Sequence, residues 1–321
     1  MKYLKILIKI LLFFLAIISF TVLNFFIDKK NLNIKVCVCT CGKNENNYIR
    51  EFVSHYNKYG VDKIFIYDNN NKNGENFETI LSDYIENGLV KIIDFRDQLK
   101  IQMTAFNHCY QENKNLYDWF IFYDMDEFIH LEKYNDIKAY LGKASFNKCK
   151  IIYLNHVIRT DNNQLYYNNQ SLFVRFPQSQ NYKNVNNSYQ PRRIILDLTK
   201  IIIRGRLQNI YFTNPHLIFH NNNTSCNGFG KIINHTSIHL DKPDHKKFYF
   251  DHFYFKSSEE YLNKLNKESV FYGIKRGYHL YWLQIYFAYN EITKEKLDYY
   301  ENKTGLNLSI FRDKISSDNS L

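Results

Sequence analysis

Apolar, β-rich runs that alternate with helical periodicity between residues 34 and 128 constrain this chain more than any other feature. Ile34 to Thr40 reads as a first strand, and Ile49, Phe52, Val53 and Tyr56 then recur at helical spacing over Glu45 to Tyr59 before Gly60. Lys63 to Tyr67 is a second strand, closed by the turn-forming run Asp68-Asn69-Asn70-Asn71. A helix over Phe77 to Glu86 stops at Gly88, and Val90 to Phe95 makes a third strand. A further helix over Met103 to Asn113 leads to a fourth strand, Trp119 to Tyr123. Strands and helices in alternation with short connections predict an α/β fold with parallel strands. Ligands of such sheets bind beyond the carboxyl ends of the strands.

The fourth strand is continuously apolar, as a strand buried on both faces should be, and it runs straight into Asp124-Met125-Asp126-Glu127. Aspartates at i and i+2 of an extended segment project to one side. Three carboxylates within four residues repel unless a cation sits among them, and hard Mg²⁺ or Mn²⁺ ions take such oxygen ligands. The bland reading is a solvated acidic turn that caps a helix. Glu45, Asp68 and Asp97 stand past the other strand ends. Each alone suits a cap or a turn, but together they set polar groups along one rim, as a nucleotide site needs.

Composition adds limits. With 45% hydrophobic residues the 321-residue chain can bury a core, and 4 prolines and 11 glycines exclude collagen-like or Pro-rich sequence. The 42 basic against 32 acidic residues, a formal +10, imply an anionic partner. No nucleic-acid-binding module accompanies that charge, so nucleic acid is not the expected partner. The 6 cysteines are too sparse for a disulfide scaffold. Cys37, Cys39 and Cys41 share one face of the first strand and read as small core residues rather than zinc ligands.

The N-terminus reads as a separate object. Ile10 to Ile27 carries no charge, is just long enough to span a bilayer and has Lys2, Lys5 and Lys9 before it. No small-residue cleavage site follows, so an uncleaved signal anchor is expected rather than a cleaved signal. Asn-x-Ser/Thr sequons at Asn169, Asn186, Asn222, Asn223, Asn234, Asn302 and Asn307 exceed the roughly three that chance would supply among about 40 asparagines. A single-pass type II protein is expected, with residues 1–30 as tip and anchor and 31–321 as a luminal body.

The motifs now resemble a known family. Cys39 to Phe52, His55-Tyr56, Tyr59-Gly60-Val61-Asp62 and Ile66-Tyr67-Asp68-Asn69 are similar to the start of a glycosyltransferase family 92 domain. So are Gln102 with Ala105-Phe106-Asn107-His108-Cys109, Trp119 to Phe128, Lys200 to Gly205, Asn214-Pro215-His216 and His252 to Tyr261. The resemblance spans most of residues 35–275. It implies a GT-A fold, a wound mixed sheet flanked by helices, whose half 31–150 holds the nucleotide sugar and whose half 151–321 faces the acceptor. It also implies a nucleotide-sugar donor, a glycan or glycoprotein acceptor, a Golgi address and a metal-bound acidic pair. Carried over by residue, Asp124 and Asp126 form the metal and diphosphate site, Glu45 and Asp68 line the nucleotide, and Gln102 and Asn107 lie near the donor. Galactose as the donor sugar comes from the resemblance alone, which also leans to an inverting reaction.

The second half is less marked. A strand starts at Cys149, and the Asn- and Tyr-rich stretch 161–189 reads as an acceptor-facing loop whose Tyr166, Tyr167, Tyr182 and Tyr189 suit sugar stacking. Arg192, Arg193, Lys200, Arg204 and Arg206 form a basic group for a diphosphate, with Arg204 and Lys256 as donor contacts. Of His216, His239 and His252, the last is the expected third metal ligand. Glu260, with Asp251 behind it, is the expected general base. The competing readings are a metal-dependent nucleotidyl or phosphoryl transferase and an inactive membrane-tethered glycan-binding protein.

Overall fold

The computed structural model describes residues 13–15, 19, 34–179, 198–219, 224–234, 237–240 and 242–318. Nearly all of the expected anchor lies outside them, and among the described residues no helix is long and apolar enough to cross a membrane. Tyr182, Tyr189, Arg192, Arg193 and the sequons at Asn186, Asn222 and Asn223 also lie outside.

The first half follows the expected alternation: β1 (Val36–Gly42), α1 (Asn46–Lys58), β2 (Lys63–Asp68), α2 (Phe77–Ile80), α3 (Ser82–Glu86), β3 (Val90–Asp94), α4 (Gln102–Asn113) and β4 (Trp119–Phe122). The helix expected over Phe77 to Glu86 is thus two short ones. Then come β5 (Glu127–Leu131), α5 (Ile137–Leu141), β6 (Ile151–Ile158), α6 (Leu172–Arg175), β7 (Thr199–Arg204), β8 (Tyr211–Asn214), β9 (Leu217–Phe219), β10 (Ser225–Asn227) and β11 (Phe248–His252). Four helices close the chain: α7 (Ser258–Asn266), α8 (Leu280–Tyr289), α9 (Lys294–Thr304) and α10 (Ser309–Asp318).

The main sheet runs β3-β2-β1-β4-β7-β6-β11-β5, with β10 added on β6. Strands β1 to β4 pair in parallel, and β7 joins β4 antiparallel. The result is an α/β fold with a mixed sheet flanked by helices.

Strand alternation sorts the core. Val36, Val38, Ile64, Ile66 and Ile121 face Ile49, Phe52, Val53 and Tyr56 of α1. Cys37, Cys39, Phe65, Phe120 and Phe122 face Ala105 and Phe106 of α4. A third cluster joins α7, α8 and α9 through Leu262, Tyr286, Leu297 and Tyr300. All of these side chains are buried, and each large one withdraws enough apolar surface to contribute about 1.5–3 kcal/mol.

Cysteine usage departs from expectation. Cys37, Cys39 and Cys41 are buried on one face as read, but Cys39 is bonded to Cys109 of α4, which packs over that face. Cys149 and Cys226 form a second disulfide, between the segment just before β6 and β10. Six cysteines are too few for a framework that replaces a core, yet enough to staple one. Cys37 and Cys41 are thiols that burial pushes well above their ordinary value.

Candidate active site

Parallel strands β1 and β4 end side by side, and a cleft of about 360 Å³ opens at their carboxyl ends. Its lining includes Gly42, Lys43, Glu45, Gln102, Asp124 and Asp126 from the first half. The second half adds His216, His252, Tyr254, Lys264, Lys267, Arg276 and Trp282. A Cβ on Gly42 would stand 2.4 Å from the Met125 sulfur. The bare backbone at 42 therefore leaves room for Met125, buried between the two aspartates that line the cleft.

Each aspartate is balanced by a lysine from a later part of the chain. Lys200 Nζ, at the start of β7, lies 2.7 Å from Asp124 Oδ2 and 3.1 Å from Glu127 Oε2. The Gln102 side-chain amide donates to Asp124 Oδ1 at 2.6 Å. Lys264 of α7 donates to Asp126 Oδ2 at 2.9 Å and to the Tyr254 carbonyl at 3.0 Å. Burial works against the Asp126 charge, but Lys264 and Lys256 hold its carboxyl far below the usual range. Burial lowers the Lys264 ammonium to about 8 in spite of Asp126. Burial also disfavours charge on Lys200, yet Asp124 and Glu127 raise it above its ordinary value. Glu127 moves up, through burial and then the two aspartates, against Lys200. The resting site therefore holds Asp126 ionised and Lys200 charged, while burial favours the neutral form of Glu127.

His252 Nε2 stands 3.6 Å from Asp126 Oδ1, and its Nδ1 is 3.2 Å from His156 Nδ1. Burial keeps this imidazole neutral, so its nitrogen can ligate. Among the described residues no three His, Cys, Asp or Glu side chains gather as a metal cage. The donors that fit an ion are thus the Asp126 carboxylate and the neutral His252, with Asp124 close by. That set suits an ion that holds one or two carboxylates and completes its shell with substrate phosphate. His216 also lines the cleft, but its Nδ1 is taken by the Thr199 carbonyl at 2.8 Å, and burial followed by Lys200 lowers it to about 3.

Other expected site residues are placed elsewhere. Glu45 lines the cleft, ionised by Lys267 at 2.5 Å and Lys256 at 3.5 Å. Lys256 lies outside the lining, its ammonium 3.9 Å from the Tyr48 ring centroid. Asp68 is fully buried against Arg96 at 2.8 Å and accepts from the Asn70 amide, so it shapes the end of β2. Asn107 clamps β8 by bonding both backbone groups of Phe212. Arg204 stands at the wrong end of the sheet. Because β7 runs antiparallel to β4, Arg204 pairs with Trp119, stacks on its ring and donates to the carbonyls of Cys149 and Phe146. Lys200, at the other end of the same strand, is the residue that reaches the acidic pair.

The expected bases also lie outside the lining. Glu260 closes a capping box with Ser257 at the start of α7 and binds the buried Arg175. Asp251 is held by Arg159 at 2.7 Å, and burial raises its carboxyl to about 6. A strand puts neighbouring side chains on opposite faces, so with His252 at the cleft, Asp251 faces away. Lys264, Lys267, Glu268, Arg276 and Trp282 are site residues that sequence reading missed. Lys43, directly after β1, carries a signal, whereas Lys264, Lys267, Glu268 and Arg276 look like ordinary exposed charges on helices and loops, and Trp282 like one more ring of an aromatic-rich chain.

The family model of glycosyltransferase family 92 matches residues 33–272. A family 92 protein of Ricinus communis is 30% identical over 97 residues, which are 30% of this chain and 17% of the relative. One of Arabidopsis thaliana is 30% identical over 141 residues, 41% of this chain and 23% of the relative. The matches thus span less than a quarter of either relative. Among solved structures, residues 1–349 of S. aureus TarS align at 16% identity over 53% of this chain and 47% of that one, with a TM-score of 0.32. The mannosyltransferase PcManGT from Pyrobaculum calidifontis, in complex with GDP-Man and Mn²⁺, aligns at 10% identity over 41% and 42%, with a TM-score of 0.30. The match over 33–272 takes in β1, β4, the acidic pair and the lysines that balance it, and by it the chain belongs to glycosyltransferase family 92.

Proposed function

We propose that this protein transfers a hexosyl unit from a nucleotide-sugar donor to a glycan or glycoprotein acceptor at the cleft, with inversion at the anomeric carbon. The observation that carries this reading is the pair Asp124 and Asp126 at the carboxyl end of β4, each set against a lysine. A Mn²⁺ or Mg²⁺ ion, held by Asp126 and His252 beside Asp124, would supply Lewis-acid stabilisation of the leaving diphosphate. Lys264 keeps the Asp126 carboxylate charged, and Lys200 stands 2.7 Å from Asp124. When the acceptor oxygen bonds to the anomeric carbon, the bond to the diphosphate oxygen breaks and negative charge grows there. Lys43, Lys264 and Lys267 stand around the space where that charge would develop. The acceptor proton goes to a carboxylate, and Glu45 and Glu268, both lysine-paired, line the cleft where Glu260 and Asp251 do not.

The working address is the lumen of the secretory pathway, reached as a type II protein. Two disulfides suit an oxidising compartment, and the sequon residues Asn169 and Asn302 are exposed. The test is a panel of nucleotide sugars, galactose donors first, with nucleoside diphosphate release measured with and without EDTA. Release from one donor that EDTA abolishes and Mn²⁺ restores is expected. Release that chelation leaves unchanged would remove the metal from the account.

A further inference from the structure

Beyond residue 272 the chain leaves the segment matched by the family model, yet Arg276 and Trp282 still line the cleft. The loop that carries Arg276 is pinned by a backbone bridge between Glu268 and Lys275 and by the Gly277 amide, which donates to the Leu265 carbonyl at 2.9 Å. Gly273 and Gly277, at φ +68° and +70°, let the backbone turn there.

The cations of the cleft are almost all spoken for. Lys43 meets Glu268 at 2.8 Å, Lys267 meets Glu45 at 2.5 Å and Lys264 meets Asp126 at 2.9 Å. Arg276 has no carboxylate partner among the described residues, and its buried Nε meets no hydrogen-bond acceptor. Rings hold it instead. Its guanidinium carbon is 5.2 Å from the Trp282 centroid and 5.9 Å from that of Tyr254. The Tyr254 ring also carries the Lys264 ammonium at 3.9 Å, so one aromatic ring separates Arg276 from the lysine on Asp126. A guanidinium set against aromatic faces keeps its in-plane N–H fork for a ligand, and that fork matches the paired oxygens of phosphate or carboxylate. A buried donor left without a partner is costly, so a bound oxyanion would remove an existing penalty.

We infer that Arg276, with Tyr254 and Trp282, forms an oxyanion subsite of the cleft that takes a phosphate or carboxylate group of a substrate. The inference rests on the transferase reading only for the source of the anion, a donor diphosphate or an acidic sugar of the acceptor. The test titrates the full chain, in metal-free buffer, with inorganic pyrophosphate and separately with glucuronate. The proteins compared are wild type, Arg276→Gln, Arg276→Lys and Trp282→Ala. One anion is expected to bind wild type and to lose about tenfold or more in affinity in Arg276→Gln. Arg276→Lys should recover part of that loss, and Trp282→Ala should weaken the same anion. A pyrophosphate response assigns the donor, and a glucuronate response the acceptor. Equal binding to wild type and Arg276→Gln, or binding of neither anion to wild type, overturns the inference. Should Arg276→Gln not fold, undiminished binding by Arg276→Lys and Trp282→Ala overturns it equally. Donor turnover by wild type without Arg276-dependent anion binding would sink this subsite and leave the transferase reading standing; the converse result would do the reverse.

Discussion

At the scale of single residues, burial shifts the protonation equilibria of several ionisable groups. His55 shows this away from the cleft. Its Nε2 faces the Ile129 carbonyl at 3.0 Å, its ring stacks on Phe173, and burial lowers it to about 4. A histidine whose folded value is depressed contributes stability that is present above its unfolded value, near 6.5, and is lost as pH falls toward the folded one. Buried carboxyls such as Asp251 pull the other way over part of this range, so the clean measurement is a difference. Between pH 6.5 and 4, unfolding free energy should fall less steeply in His55→Gln than in wild type, by about 1.4 kcal/mol per pH unit. Denaturant titrations at three pH values would show it, and parallel slopes would mean that His55 is not buried neutral.

At the scale of elements, β7 separates chemistry from architecture along one strand. Lys200 at its start reaches the acidic pair, and Arg204 at its end caps carbonyls on the far side of the sheet. Lys200→Met should cut turnover on the order of 10²-fold, because Asp124 loses its cation inside the site. Arg204→Met should leave turnover unchanged and lower stability by about 1–3 kcal/mol through the carbonyls it uncovers. Turnover and denaturant midpoints for both variants decide the matter, and equal losses of activity would contradict it. The same strand shows what the sequence could reveal. β4 was legible because Trp119 to Phe122 is apolar without a break and ends in charge. The direction of β7 was not, because a long polar stretch precedes it, and so the sequence does not show that Lys200 rather than Arg204 reaches the acidic pair. Glu260 carries its own structural signal: Ser257-Ser258-Glu259-Glu260 is a capping box, and such a glutamate is engaged at its own helix start. Lys264 offered no signal, since a lysine on a short helix ordinarily faces water.

At the scale of the whole molecule, the two halves of the chain build one cleft: the first supplies every lining carboxylate but Glu268, and the second most of the cations. Most of those cations are matched by a carboxylate within the cleft, whereas Arg276 has no carboxylate partner among the described residues. The disulfides tie the scaffold behind this arrangement. Cys39–Cys109 joins β1 to α4, the helix whose Gln102 holds Asp124, across a sequence separation of 70, and Cys149–Cys226 spans 77. Replacing Cys149 and Cys226 together by serine should lower stability by about 2–4 kcal/mol. An unchanged midpoint in non-reducing buffer would mean that this bond contributes nothing. The central claim is that Asp126 stands where the donor diphosphate leaves. Its most direct test compares wild type with Asp126→Asn in nucleoside diphosphate release, at saturating donor and Mn²⁺, with folding followed by circular dichroism. A folded variant whose release falls about 10²-fold or more is the expected result; a folded variant that releases diphosphate at the wild-type rate would contradict the account.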